Sequence, residues 1–151
     1  HGSRAVPNTV MAEDGAYVTQ MRSTGLLPVA KTKLPEFGLT CTTEYTQSEP
    51  ARNPWNTGHS TGGSSGGSAA MVAAGAVPIA QANDGGGSIR IPASCCGLVG
   101  LKPTRSRLPD FPGTEKMPVN IVVDGVVSRT VRDTALYYSA AEKFYRNKRS
   151  G

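Results

Sequence analysis

From Asn53 to Asn83 the chain carries no Asp, Glu, Lys or Arg over 31 residues. Inside this stretch lies Gly62-Gly63-Ser64-Ser65-Gly66-Gly67-Ser68, and directly after it comes Asp84-Gly85-Gly86-Gly87-Ser88-Ile89-Arg90. Two glycine-serine turns are therefore separated by a short apolar segment, with Ser64 and Ser88 24 residues apart. One short helix and one strand fit that interval, which brings both turns to one end of a sheet. Glycine supplies freedom of φ and close backbone approach, so such turns can aim several N–H groups at one point. A flexible Gly/Ser linker explains the pattern poorly, because apolar residues 69–72 and 77–82 are interleaved with it.

The 151 residues suffice for a single domain with a real core and are few for two. Of the 18 glycines, 11 fall between Gly58 and Gly100, and with 38% of residues hydrophobic the chain is not a disordered one. A net charge of +5 with only 18% charged residues speaks against nucleic acid as a partner. Cys41, Cys95 and Cys96 are odd in number and form no disulfide framework. With His1 and His59 they give no metal-ligand spacing, so no metal or cofactor is expected, and the cysteines read as buried free thiols of a reducing compartment. No amino-terminal signal segment is visible. The longest small or apolar run, residues 69–80, is 12 long and falls short of the ~20 residues that span a bilayer. The expectation is a soluble, cytoplasmic protein with no membrane partner.

Residues 12–24 predict a helix, with Glu13 and Asp14 in its first turn and Gly25 at its exit. Residues 26–30 then predict a short buried strand. Residues 33–67 read as a long ordered loop, a kind of segment that is often functional. A small-residue helix over 68–75, a strand over 77–82, a tight turn over 83–88, a short helix around 92–96 and a strand over 98–102 follow. Residues 105–118 hold three prolines and read as a loop. Residues 121–127 are β-rich, with Asp124-Gly125 as a hairpin turn or a bulge. Thr130 and Asp133 open a final helix, continued at helical spacing by Val131, Ala135, Tyr138 and Ala141 or Glu142. Its basic end, residues 143–149, suits a helix carboxyl terminus. The fold class is α/β, a mixed sheet flanked by helices.

A fan of N–H groups suits a phosphate or the oxyanion of acyl transfer. Neither turn has phosphate-loop spacing, and the region lacks lysine. Acyl transfer needs a hydroxyl beside backbone donors, which Gly85-Gly86-Gly87-Ser88 supplies. A serine hydroxyl must be activated. His59, the one internal histidine and set in a loop, reads as a surface residue; a desolvated lysine is the other known activator.

These motifs, with Cys96-Gly97-Leu98-Val99-Gly100-Leu101-Lys102-Pro103-Thr104 after them, resemble the amidase signature family. Lys31-Thr32-Lys33-Leu34-Pro35-Glu36-Phe37, Asn53-Pro54-Trp55 and residues 127–133 resemble its flanking segments, so the likeness covers nearly the whole chain. The resemblance implies an amidase, a hydrolase of linear amide C–N bonds that forms an acyl-serine. Ser88 matches the nucleophile, and Ser64 matches the bridging serine that follows a cis peptide and relays protons. The N–H groups of Gly85, Gly86, Gly87 and Ser88 match the oxyanion hole. Ser65 matches a supporting hydroxyl, while Asp84 and Arg90 match charged residues that brace the turn. The family's lysine belongs to a segment before His1; Lys31 and Lys33 lie in surroundings that match a different segment. The chain is therefore expected to be an internal fragment of a larger amidase domain, inactive alone, with strand edges that invite association into a homo-oligomer. Small-molecule amides, small or aryl, are the expected substrates. The alternatives are the glutaminase component of a tRNA-dependent amidotransferase and a non-catalytic binding or assembly fragment.

Overall fold

The computed structural model describes residues 2–7, 9–45, 48–109 and 113–149, apart from the side chains of 115 and 146–149. The elements are α1 (Ala16–Ser23), α2 (Gly66–Ala73), β1 (Ile79–Asp84), α3 (Arg90–Cys95), β2 (Val99–Gly100), β3 (Val123–Ser128) and α4 (Val131–Arg149). Single 3-10 turns occur at Glu36–Gly38 and Thr114–Lys116. Helices flank a three-stranded sheet of order β1-β3-β2, giving the α/β architecture expected, and each pairing is antiparallel.

β3 is the central strand, and all six of its residues are buried. On one side Val127 joins Val72, Ala82, Ile89 and Ala93 in a cluster that seats α2 and α3. On the other, Val126 packs with Leu108, Tyr137, Tyr138 and Ala141 beneath α4, with Tyr17 and Met21 of α1 at the margin. Successive residues of one strand thus hold the two halves of the core, as the pleat dictates.

Asp124-Gly125 is neither turn nor bulge. The strand runs straight through, with Gly125 opposite Ala82 and Asp124 opposite Asn83. Glycine is needed there because a Cβ would overlap the Tyr138 hydroxyl and stand 2.9 Å from Ile89 Cδ1. Residues 26–30 form no strand: Leu26 leans on the second cluster, while Leu27 and Val29 are 84% and 75% exposed. No sheet edge among the described residues meets that segment, so its backbone has no ladder to join. Helix α1 begins four residues later than predicted, at Ala16, with Asp14 outside it paired to Arg22 at 2.7 Å. The Thr130 cap is as expected: Asp133 N–H donates to Thr130 Oγ1 at 3.0 Å, and that hydroxyl donates to Asp133 Oδ2 at 2.7 Å. The buried stripe of α4, however, is Thr134, Tyr137, Tyr138 and Ala141; Val131 and Ala135 face outward. Tyrosine at adjacent positions moved the stripe by a fraction of a turn, since two large rings bury more than Val and Ala.

Asp124 is a buried carboxyl whose one described partner is Gln81 Nε2, at 2.9 Å. Burial pushes it up to about 6 despite the Gln81 bond. The folded state then binds a proton that the unfolded chain releases between its ordinary value of 3.8 and about 6. Stability falls as pH rises through that window and stays lower above it. Asp124→Asn is expected to raise stability at pH 8 by up to about 3 kcal/mol and to leave it nearly unchanged at pH 4. Urea midpoints of both forms at the two pH values check this.

Candidate active site

The two glycine-serine turns meet. Ser65 N–H donates to the Ser88 carbonyl at 3.4 Å, and Asn83 N–H, at the end of β1, donates to Ser65 Oγ at 3.3 Å. The peptide joining Ser64 to Ser65 therefore lies beside Ser88, and Ser65 ties the first turn to the strand that delivers the second. Ser64 is buried at the amino-terminal approach to α2, and the Gly63–Ser64 peptide is cis, as the resemblance implied.

The second turn is knotted around Asp84. Its carboxylate accepts from the N–H groups of Gly87 at 2.7 Å and Ile89 at 3.2 Å, and from Arg90 Nε and a terminal guanidinium nitrogen, both at 2.9 Å. Burial alone would raise this carboxyl, but the Arg90 bonds and the two N–H donors outweigh it and hold it below its ordinary value. Asp84 and Arg90 thus shape the turn from within. The knot also sorts the donors. Gly87 N–H points inward at Asp84, whereas among the described residues the N–H groups of Gly85, Gly86 and Ser88 have no partner.

The first turn rests on residues that carry no chemical signal in the sequence. Thr43 Oγ1 donates to the Gly62 carbonyl at 2.9 Å and accepts from Gly66 N–H at 3.1 Å, while Thr61 Oγ1 also reaches the Gly62 carbonyl at 3.0 Å. Both threonines are fully buried, yet in sequence they are two of many hydroxyl residues in a long polar loop. Asn53 Nδ2 donates to the carbonyls of Ser60 and Cys95, fastening this loop to α3. Contact explains the glycines: a Cβ on Gly63 would lie 2.7 Å from the Thr42 backbone, and one on Gly67 would lie 2.5 Å from Lys33 N and overlap the Lys33 carbonyl oxygen. Backbone cannot yield as a flexible side chain does, so Gly67→Ala is expected to destabilise the protein by about 3 kcal/mol. Thermal melting of the variant checks it.

Neither nearby lysine serves these serines. Lys33 Nζ donates to the Glu49 carbonyl at 2.5 Å and sits 5.8 Å from the Tyr45 ring centre, and Lys31 is exposed. His59 is exposed in its loop. Of the three free cysteines only Cys96 is buried, where burial pushes its thiol up to about 11; Cys41 and Cys95 are exposed, against the expectation of three buried thiols. Adjacent positions on the short helix end cannot both face inward, and Cys41 falls in the open loop. Among the described residues no group of three His, Cys, Asp or Glu is placed to hold a metal ion, and no helix is long and apolar enough to cross a membrane.

The family model described as Amidase matches residues 1–150. The chain belongs to the amidase signature family. AmiC of Mycobacterium tuberculosis, whose name describes it as an amidase, is 53% identical over 97% of this chain and 31% of its own length. The 6-aminohexanoate-cyclic-dimer hydrolase of Paenarthrobacter ureafaciens is 49% identical over 81% of this chain and 25% of its own length. The crystal structure of a glutamyl-tRNA(Gln) amidotransferase component from Thermotoga maritima superposes with a TM-score of 0.81 at 37% identity, over 92% of this chain and 30% of that one. The chain thus spans about a third or less of the length of these relatives.

Proposed function

We propose that the protein is an amide C–N hydrolase in which Ser88 is acylated. The observation that carries this reading is the junction of the two turns: Ser88 stands beside the Ser64–Ser65 peptide, and the Asp84 knot leaves the N–H groups of Gly85, Gly86 and Ser88 uncommitted. Ser88 Oγ attacks the amide carbonyl carbon and gives its proton to Ser64, which relays it to a lysine outside these 151 residues. The carbonyl oxygen becomes an oxyanion held by the free N–H groups, each such donor being worth ~3–4 kcal/mol of barrier. The C–N bond breaks as the relay returns the proton to the leaving nitrogen. Water then attacks the acyl-serine, releasing the carboxylic acid and restoring the Ser88 hydroxyl. Gly87, whose N–H serves Asp84, acts in this scheme by its conformation, φ 129°, rather than as a donor.

Family membership leaves the amide open, since one relative is named for a cyclic dimer and another for glutamyl-tRNA(Gln). Our reading favours small or aryl amides; free thiols at Cys41, Cys95 and Cys96 fit a reducing, cytoplasmic setting. The likeness to the amidotransferase component supports a second reading, glutaminase action within a complex. Amine release from acetanilide and ammonia release from acetamide and from glutamine, measured on the full-length protein, separate the two. Turnover of the simple amides without glutamine is the expected result; turnover of glutamine alone supports the second reading instead.

A further inference from the structure

The 3-10 turn Glu36–Gly38 lies against Ser64. A methyl group placed on Gly38 would stand 3.4 Å from Ser64 Oγ and 3.9 Å from Ser64 Cβ. On either side of this glycine an apolar side chain is left in the open: Phe37 is 52% exposed and Leu39 82%. Phe37 holds a φ of 53°, a conformation that L-residues rarely adopt and that persists where surrounding structure enforces it, often at ligand clamps. The enforcement is visible. Gly38 N–H donates to the Pro35 carbonyl at 2.9 Å, Leu39 N–H donates to the Glu36 carbonyl at 3.2 Å, Pro35 is fully buried, and Tyr45 Oη donates to the Leu34 carbonyl at 2.5 Å. A fixed backbone that keeps an aromatic ring half in the open, one residue before the glycine that abuts a buried serine, is poorly explained by core packing.

We infer that this turn walls the leaving-group side of the site and that Phe37 determines specificity there, favouring amides whose departing amine is aryl. The inference rests on the amidase reading, in which Ser64 returns the proton to the leaving nitrogen. Whatever stands beside Ser64 then stands beside that nitrogen and its substituent. An aniline leaving group offers Phe37 a ring to contact, whereas ammonia offers it nothing.

Acetanilide and acetamide share their acyl group and differ only in the leaving amine, so they isolate this wall. In the full-length protein, Phe37→Ala is expected to raise KM for acetanilide about 10-fold with little change in kcat, and to leave kcat/KM for acetamide within about 2-fold. Phe37→Tyr, which keeps the ring, should retain the wild-type preference. An equal fall for both amides with a lowered Tm, or no change for acetanilide, overturns the inference. Should Phe37→Ala fail to fold, Phe37→Leu takes its place, with the same two outcomes. If no form hydrolyses acetanilide while a fluorophosphonate still labels Ser88, the wall is refuted and the amidase reading stands. If wild-type protein neither turns over an amide nor labels at Ser88, the amidase reading falls and takes this inference with it.

Discussion

Ser88→Ala in the full-length protein is expected to lower kcat/KM for a hydrolysed amide by about 10³-fold or more while leaving Tm within a few degrees. The two halves of that expectation have separate causes. Acylation requires an oxygen at this position, and neither Ser64 nor Ser65 can stand in for it. Ser64 is buried within its own turn, and Ser65 Oγ is engaged by Asn83 N–H. Folding, by contrast, uses the backbone of Ser88 and not its hydroxyl: the Ser88 carbonyl accepts from Ser65 N–H, and no described group bonds its Oγ. Steady-state kinetics beside a melting curve checks both halves. A Tm loss of many degrees with a matching loss of activity would assign Ser88 to the scaffold.

Asp84→Ala is expected to cost about 2–4 kcal/mol of stability and to reduce activity strongly even in the molecules that remain folded. The side chain is wholly buried, and its removal strands the N–H groups of Gly87 and Ile89 inside the turn, at roughly 1–3 kcal/mol each before relaxation. Arg90, 54% exposed at its side chain, returns to water and adds nothing to that figure. Gly87, freed from Asp84, is no longer held at φ 129°, and the turn that carries Ser88 is free to relax. The carboxylate's stabilisation is complete above its ordinary value of 3.8 and is lost only as pH falls below that through its lowered value in the fold. Wild-type and variant should therefore differ fully at pH 7 and converge only in strong acid. Chemical denaturation at pH 7, with kinetics at 10 °C where the variant is mostly folded, tests this.

Much of this was legible in the sequence because glycine and serine at fixed spacing leave few conformations open. The Gly62–Ser68 and Asp84–Arg90 segments announced their turns, and the interval between them allowed only one helix and one strand, which is what α2 and β1 supply. The Thr130 cap was equally legible, since the interaction is local and both partners lie within four residues. What stayed hidden depends on contacts distant in the chain. Asp124-Gly125 looks like a turn until Tyr138, from α4, is seen to require the missing Cβ. Residues 26–30 look like a strand until no ladder is found to receive them. Thr43 and Thr61 carry no mark in a loop rich in hydroxyls, and the diversion of Gly87 N–H to Asp84 follows from where a carboxylate points, which spacing alone does not fix.

The most direct test of the central claim is to treat the full-length protein with a fluorophosphonate and locate the adduct by peptide mass spectrometry. The expected result is one phosphonylated residue, Ser88, formed in wild-type protein and absent from Ser88→Ala. An adduct on another serine, or none in a protein that hydrolyses amides, would contradict it.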